Sequence, residues 1–215
     1  MNIVPAATRD IDFITRAVFA AVKSGTDILT YSTLFEKSEE ELLPLFKEMI
    51  EEDIEGQELW LSGFLIAKDS DGTPVATCCA WVEGEDGPSG ILTAQLLSFT
   101  LGSETYKKAL EKHEVIESLR VDREEGALQI EHVYTDPNYR GKGLATQVIE
   151  KQIELYKSRQ PALHKAQIIL FKTNQNALNA YTKMGFEVVK EQFSNHPQVL
   201  NYFPANTRVL MEKGI

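Results

Sequence analysis

The most informative stretch of the chain is EHVYTDPNYRGKGLAT, residues 131–146. Its first part is rich in β-branched and aromatic residues, which predicts a strand that ends before Asp136-Pro137. A turn with two glycines, Gly141 and Gly143, then leads into an amphipathic helix. Glycine lets the backbone approach a ligand closely, and the N-terminus of a helix carries free amides and the positive end of the helix dipole. This turn therefore predicts an anion site, to which the two neighbouring basic residues add positive charge.

Two familiar phosphate-binding motifs do not fit this turn. A P-loop needs Ser or Thr directly after its Gly-Lys pair, where this chain has Gly143. The dinucleotide fingerprint G-x-G-x-x-G needs a final glycine where this chain has Thr146. A plain basic turn before a helix remains the alternative interpretation of the glycine pair.

The hydrophobic pattern predicts elements in the order β-α-α-β-β-helical insert-β-α-β-α-β-β. The predicted strands are residues 2–6, 60–68, 75–83, 127–135, 166–171, 186–191 and 208–213. A strand, a glycine turn, a helix and a continuous apolar strand form a βαβ crossover, so the middle of the sheet is predicted to be parallel. The predicted fold class is α/β (α+β): a mixed, centrally parallel β-sheet of six to seven strands flanked by helices on both faces.

Length and composition predict one soluble domain over residues 1–215, with a helical insert at about 84–126. The chain is 43% hydrophobic and 25% charged, which excludes collagen-like and wholly disordered proteins. No apolar run reaches the ~18–20 residues of a membrane helix, and the N-terminus lacks the pattern of a signal peptide. We therefore expect a cytoplasmic protein with no membrane partner.

The only two cysteines, Cys78 and Cys79, are neighbours. A disulfide between adjacent residues needs a strained turn, so both are predicted to be free thiols in a reducing compartment. No Cys/His spacing is typical of a zinc site, and we expect no metal.

Charge is unevenly distributed along the chain. Residues 137–190 contain nine basic and three acidic residues, whereas the whole chain has a net charge of −10. The basic segment is either the solvated surface of helices or a local site for an anion. The strongly acidic remainder argues against a nucleic-acid partner.

A second motif, NQNALNAYTKMGF at residues 174–186, follows about thirty residues after the glycine turn. Together with RGKGLA at residues 140–145, it resembles the two motifs of the GNAT superfamily of N-acetyltransferases. The resemblance is specific over about 127–191 and only architectural over 1–83. It does not cover 84–126, because the family usually joins these two strands by a tight turn.

The resemblance implies a GNAT-like acyl-CoA N-acyltransferase fold and an enzyme that uses acetyl-CoA as its co-substrate. The implied reaction is direct transfer of the acetyl group to a small-molecule amine or a protein amine in a ternary complex. A homodimer is left open. The alternative is a catalytically silent module of the same fold that binds or senses acyl-CoA.

The resemblance also implies roles for individual residues. The strand and the turn would hold the pantetheine arm and the pyrophosphate through Val133, Tyr134, Thr135, Arg140, Gly141, Lys142, Gly143, Leu144, Ala145 and Thr146. Asn174 would contact the pantetheine, and its other interpretation is an ordinary helix N-cap. Tyr181 would be the general acid that protonates the leaving thiolate, and its other interpretation is a core residue.

The chemistry also calls for a base, because only a neutral amine attacks a thioester. A free alkylamine has a pKa of ~10.4, so about one molecule in 2,500 is neutral at pH 7. Glu131 and His132 are the candidates. On a regular strand they point to opposite faces, so at most one reaches the cleft unless a bulge intervenes. The alternative roles are a solvated strand residue for Glu131 and a core histidine for His132. The acidic charge outside residues 137–190 favours a cationic amine as acceptor.

Overall fold

A computed structural model describes all 215 residues and contains one seven-stranded sheet. Its strand order is β1-β2-β3-β4-β5-β7-β6. The strands are β1 (Asn2–Pro5), β2 (Phe64–Lys68), β3 (Pro74–Val82), β4 (Leu128–Thr135), β5 (Lys165–Phe171), β6 (Glu187–Phe193) and β7 (Thr207–Gly214). All seven predicted strands are present, each with its ends within a few residues of the prediction.

Nine α-helices cover the two faces of this sheet. They are α1 (Ile11–Lys23), α2 (Thr30–Phe35), α3 (Glu39–Glu51), α4 (Ser89–Leu101), α5 (Ser103–Leu110), α6 (His113–Ser118), α7 (Leu144–Arg159), α8 (Gln175–Lys183) and α9 (Val199–Tyr202). Helices α1 to α5 contribute to a 21-residue apolar cluster on one face, and α7 and α8 contribute to a second cluster of the same size on the other. The mixed sheet with helices on both faces confirms the predicted fold class.

The parallel part of the sheet is smaller than the sequence predicts. Only β4 and β5, which the α7 crossover joins, run parallel, and every other pair of neighbours is antiparallel. Even this pair is short, because its register holds only Leu128 opposite Ala166 and Gln129 opposite Gln167. Beyond these residues the two strands separate and leave an opening in the middle of the sheet.

A β-bulge interrupts β4 beside this opening. Thr77 of β3 pairs with Tyr134 and Cys79 pairs with Glu131, so a single residue of β3 lies opposite two of β4. His132 takes a left-handed backbone conformation at the bulge, with φ of 52°. A bulge of this kind bends the strand and re-aims its side chains.

Three helices, α4 to α6, fill the long segment between β3 and β4. Gly102, with φ of 77°, separates α4 from α5. The segment packs against α2, because Lys112 Nζ donates to the backbone oxygen of Leu34 over 2.9 Å. Leu110, the last residue of α5, is exposed. Residues of this segment reach the opening between β4 and β5.

Two further features complete the description of the fold. Cys78 and Cys79 are free, as predicted, and both are buried. None of the helices combines the length and the apolar character that crossing a lipid bilayer requires.

Candidate active site

A cavity of about 760 Å³ occupies the opening between β4 and β5. Residues 130–135 of β4 and 168–171 of β5 form two of its walls. Residues 20–26, at the end of α1, form another wall, and Ile116, Val121 and Arg123 close it from the side of α6 and the segment that follows. The arrangement is a deep cleft in the centre of the sheet, with one strand edge of β4 unpaired along its length beyond Gln129.

The glycine turn lies at one end of this cleft, after Arg140 on its rim. Gly141 and Gly143 have φ of 76° and 68°, and Gly143 is the N-cap of α7. A Cβ atom at either glycine would meet no protein atom within 4 Å, so the space beside the turn is open. Glycine is needed here because the left-handed conformation strains other residues.

Six consecutive backbone amides, those of residues 141–146, donate no hydrogen bond to another group of the protein. The first amide of this region with a protein acceptor is that of Gln147, which donates to Gly143 over 3.1 Å. Free amides at a helix N-terminus, together with the helix dipole, favour an anion. The turn is therefore suited to bind a phosphate or diphosphate.

The two basic side chains of the turn differ in position. Arg140 is exposed and lies at the cavity rim. Lys142 places Nζ 4.5 Å from the ring centroid of Tyr139, whose hydroxyl donates to Asp69 over 2.6 Å. The second contact ties the turn to the β2–β3 hairpin, so Lys142 is held against the protein surface beside the free amides.

Tyr181 of α8 reaches the same cavity from the other face of the sheet. Its side chain is buried, and its ring packs against that of Phe186 with 6.2 Å between the centroids. Its hydroxyl makes no hydrogen bond with the protein. Burial, reinforced by the charge of Glu131, raises the pKa of Tyr181 well above its ordinary value, so the phenol keeps its proton at neutral pH.

Asn174 connects the two sides of the cleft. Its Oδ1 accepts from the amide of Ala177 over 3.3 Å, which is an N-cap of α8. Its Nδ2 donates to Ser24 Oγ over 3.2 Å, and Ser24 ends α1 in a left-handed conformation. The N-cap role is thus present in the structure, and a role in ligand binding stays a prediction.

A half-buried group of charged residues lies in the cavity wall. Arg123 Nη2 donates to Glu131 Oε1 over 2.8 Å and lies 3.5 Å from Glu58 Oε2. The hydroxyl of Tyr31 donates to the other oxygen of Glu58 over 3.0 Å. One guanidinium therefore serves two carboxylates, each about one-fifth exposed.

This arrangement shifts the pKa values of the two carboxylates in opposite directions. Burial, with the charge of Glu58, raises the pKa of Glu131 to about 7 despite the attraction of Arg123. For Glu58, burial also opposes ionisation, but His132, Arg123 and the Tyr31 hydrogen bond outweigh it and lower the pKa. Glu131 is thus an acid–base group that titrates near neutral pH, in contact with the cavity.

The bulge brings His132 to the same face of the sheet as Glu131. Its ring stacks on Phe64 of the α1-side cluster, with 6.4 Å between centroids and 7° between planes. Nε2 is buried without a hydrogen-bond partner, and burial lowers the pKa of His132, so the ring is neutral at pH 7. The sequence analysis allowed both residues to reach the cleft only if β4 has a bulge. The structure contains this bulge, and both candidate bases line the cavity.

The structure brings most of the predicted site residues together. Those that line the cavity are Glu131, His132, Val133, Tyr134, Thr135, Arg140, Asn174 and Tyr181. The others, residues 141–146, continue from Arg140 into the first turn of α7 and lie outside the cavity wall.

The sequence analysis missed several polar residues of the cavity, among them Tyr31, Glu58, Arg123 and Arg208. They lie in four separate segments, and none belongs to a motif. Tyr31 lies in α2, whose helical pattern is weak in the sequence, and Glu58 lies in an apparent loop before β2. No sequence signal pairs Arg123 with Glu131, although they are only eight residues apart.

Comparisons with known proteins agree with this geometry. The family model described as "Acetyltransferase (GNAT) family" matches residues 30–186. No curated protein sequence matches the chain.

Solved structures share the fold at low sequence identity. An N-acetyltransferase from Staphylococcus aureus Mu50 is 15% identical over 99% of this chain and 100% of its own, with a TM-score of 0.61. A mosquito arylalkylamine N-acetyltransferase like 5b is 13% identical, with a TM-score of 0.60, and both chains are covered completely. A ribosomal-protein-alanine N-acetyltransferase from Brucella melitensis is 16% identical, with a TM-score of 0.56 and complete coverage of both chains.

These names cover a small-molecule amine and a protein amine, so the shared fold does not select an acceptor. The family match, in contrast, spans most of the chain, including β4, the glycine turn and α8. The chain therefore belongs to the acetyltransferase (GNAT) family and is an acyltransferase.

Proposed function

We propose that the whole chain is one cytoplasmic acetyltransferase domain that transfers the acetyl group of acetyl-CoA directly to an amine. The observation that carries this proposal is the row of six free amides at residues 141–146, at the end of a cleft whose wall holds an ionisable carboxylate and a buried phenol. A site that only stores or senses acyl-CoA needs the amides but has no use for the other two groups.

The residues present fit acetyl-CoA. The free amides and Arg140 offer donors for the diphosphate, and the unpaired edge of β4 offers backbone groups to an extended pantetheine arm. When bound, acetyl-CoA supplies an acetyl group activated as a thioester. Val133, Tyr134 and Thr135 lie on the strand edge that would orient it, and Asn174 lies across the cleft from them.

Glu131 is the base in this proposal. Its carboxylate accepts a proton from the attacking amine, directly or through a water molecule, as the new C–N bond forms. A base with a pKa near 7 is ionised in a large fraction of molecules at neutral pH and still holds the proton it receives. His132, with its ring fixed on Phe64 and its lowered pKa, is the second candidate.

Tyr181 is the proton donor for the sulfur. The C–S bond breaks as the phenol Oη gives its proton to the leaving sulfur atom. An ordinary thiol has a pKa of ~8.5 and an ordinary phenol ~10, so the transfer is uphill until charge develops on the sulfur. Burial in a common site raises the pKa of the leaving thiol as well as that of the phenol, so the raised pKa of Tyr181 does not by itself widen the gap between them.

The test is a measurement of binding and of turnover on the same sample. Isothermal calorimetry should detect acetyl-CoA binding, and release of free CoA thiol should depend on an added amine from a panel of small amines and peptides with free N-termini. Binding without CoA release at saturating acetyl-CoA would favour the silent module. Absence of binding by a folded protein would overturn the proposal.

A further inference from the structure

Arg208 of β7 has an unusual place in the cavity wall. It lies between Phe171 of β5 and Gln192 of β6 in the sheet register. Its guanidinium carbon lies 4.9 Å from the ring centroid of Phe171 and 5.5 Å from that of Phe203. The two aromatic rings therefore hold a flat, partly buried cation at the edge of the cavity.

The guanidinium of Arg208 makes no ion pair and no hydrogen bond within the protein. Arg123, in the same cavity, has Glu131 and Glu58 as partners. Glu131 and Glu58 also act on Arg208 electrostatically, but neither comes within 4.0 Å of it. A partly buried charge without a partner is costly. The donors of Arg208 are thus available to a ligand in the cavity.

The position of Arg208 points to the acceptor and not to the CoA. The free amides, which suit the diphosphate, belong to the first turn of α7, which packs on the opposite face of the sheet from α6 and α9. Phe203 belongs to the apolar cluster that α6 and α9 share, and the charges of Glu131 and Glu58 in the same cavity act on Arg208. Arg208 is therefore on the side of the cavity where an amine would approach Glu131.

Building on the proposed function, we infer that the acceptor is a zwitterionic amino acid whose carboxylate binds Arg208 while its amine lies beside Glu131. A planar guanidinium pairs with a carboxylate through two parallel hydrogen bonds, and its stacking on two rings fixes the direction of that pair. The apolar lining from Leu34, Ile116 and Val121 fits an apolar side chain on that amino acid. We therefore infer an acceptor that carries a carboxylate, in place of the cationic amine that the net charge of the chain favours.

The test compares each of the twenty L-amino acids with its own α-carboxamide at saturating acetyl-CoA. The amide keeps the amine and the side chain and loses only the negative charge. We expect at least one amino acid to be acetylated with kcat/KM tenfold or more above that of its amide, which is about 1.4 kcal/mol. Amides that match or exceed every acid, or turnover confined to amines without an anionic group, would overturn the inference.

Variants tie this preference to Arg208. Arg208→Gln should raise the KM of the preferred amino acid at least tenfold and abolish its advantage over the amide, with acetyl-CoA affinity unchanged. Arg208→Lys keeps the positive charge, so its KM should lie between those of wild type and Arg208→Gln. Arg159→Gln removes an exposed arginine outside the cavity and is the control. Loss of acetyl-CoA binding in folded Arg208→Gln would instead assign this arginine to the CoA.

The two proposals fail in different ways. If wild type binds no acetyl-CoA in the calorimeter, the proposed function fails. If it binds acetyl-CoA and acetylates only amines without a carboxylate, the proposed function stands and the inference about Arg208 is wrong. Calorimetric binding of the preferred amino acid in the presence of CoA, absent for its amide, supports the inference without relying on turnover.

Discussion

Arg123 donates to Glu131 over 2.8 Å while the same nitrogen lies 3.5 Å from Glu58. Two carboxylates therefore compete for one guanidinium in a wall where little water reaches them. Ionisation of both is opposed by burial and by their mutual repulsion, and the pair retains a proton up to neutral pH. Glu131 therefore changes its charge near pH 7, in the range where an acetyltransferase would use a base.

The first prediction concerns pH. Because Glu131 accepts a proton only when it is ionised, kcat/KM should fall as the pH drops below about 7, by tenfold per pH unit. Glu131→Gln should lower kcat by ~10²-fold or more and should remove this acidic limb, the fall in kcat/KM below about pH 7. Initial rates between pH 5 and 9, with thermal melting to verify folding, measure both effects.

Two variants serve as controls for this assignment. Burial is the main cause of the raised pKa of Glu131, and Glu58→Gln removes the charge that raises it further, so the fall in rate should move to lower pH. His132→Asn retains a residue that tolerates the left-handed backbone of the bulge, and its rate should stay within about threefold of wild type. If the histidine variant loses the limb and Glu131→Gln keeps it, His132 is the base.

The second prediction concerns Tyr181. Tyr181→Phe keeps the ring that packs on Phe186 and removes a hydroxyl with no partner in the protein. We expect kcat to fall ~10²-fold while folding stability and acetyl-CoA affinity change little. Since burial holds its pKa above the ordinary value, Tyr181 should add no alkaline limb below pH 10 in wild type.

Tyr156 provides the matched control, because its buried hydroxyl donates to the backbone oxygen of Ala80 over 2.7 Å. Tyr156→Phe should cost about 1 kcal/mol of stability and leave kcat unchanged. A Tyr181→Phe enzyme that turns over within about threefold of wild type, while chemistry limits the rate, would make Tyr181 a packing residue.

The third prediction concerns the glycine turn. Gly143→Glu places a bulky anion beside the free amides, so acetyl-CoA affinity should fall at least tenfold, or about 1.4 kcal/mol. Gly102→Glu imposes the same substitution on another open, positive-φ glycine, between α4 and α5. Calorimetry on both variants separates loss of the site from backbone strain. Equal affinity in the two would contradict the site.

The fourth prediction separates the two roles of Asn174. Asn174→Ser keeps a side-chain oxygen that can cap α8 and removes the amide nitrogen that reaches Ser24. If Asn174 also contacts the CoA, this variant should bind acetyl-CoA several-fold more weakly at unchanged melting temperature. Asn174→Ala should lose about 1 kcal/mol of stability as well. Unchanged affinity in the serine variant would leave Asn174 a cap alone.

The residues between 127 and 191 were readable from the sequence because their signals are local. A strand, a positive-φ glycine turn and a capped helix follow one another, and each is specified by its own neighbours. The segment before β4 was less readable. Helix α4 carries apolar residues such as Ile91, Leu97 and Phe99 around its whole circumference, so no single face marks where it packs.

The sequence by itself determined the order of the seven strands and of the longer helices, the free-amide turn and the positions of Asn174 and Tyr181, but it did not show the short helices α2 and α9. Only the tertiary structure decided which side chains share the cavity. The bulge turns His132 to the face of Glu131, and folding brings Glu58, Arg123 and Arg208 there from three other segments. Pairing of distant charges depends on packing in three dimensions, which leaves no periodic or local mark in a single sequence.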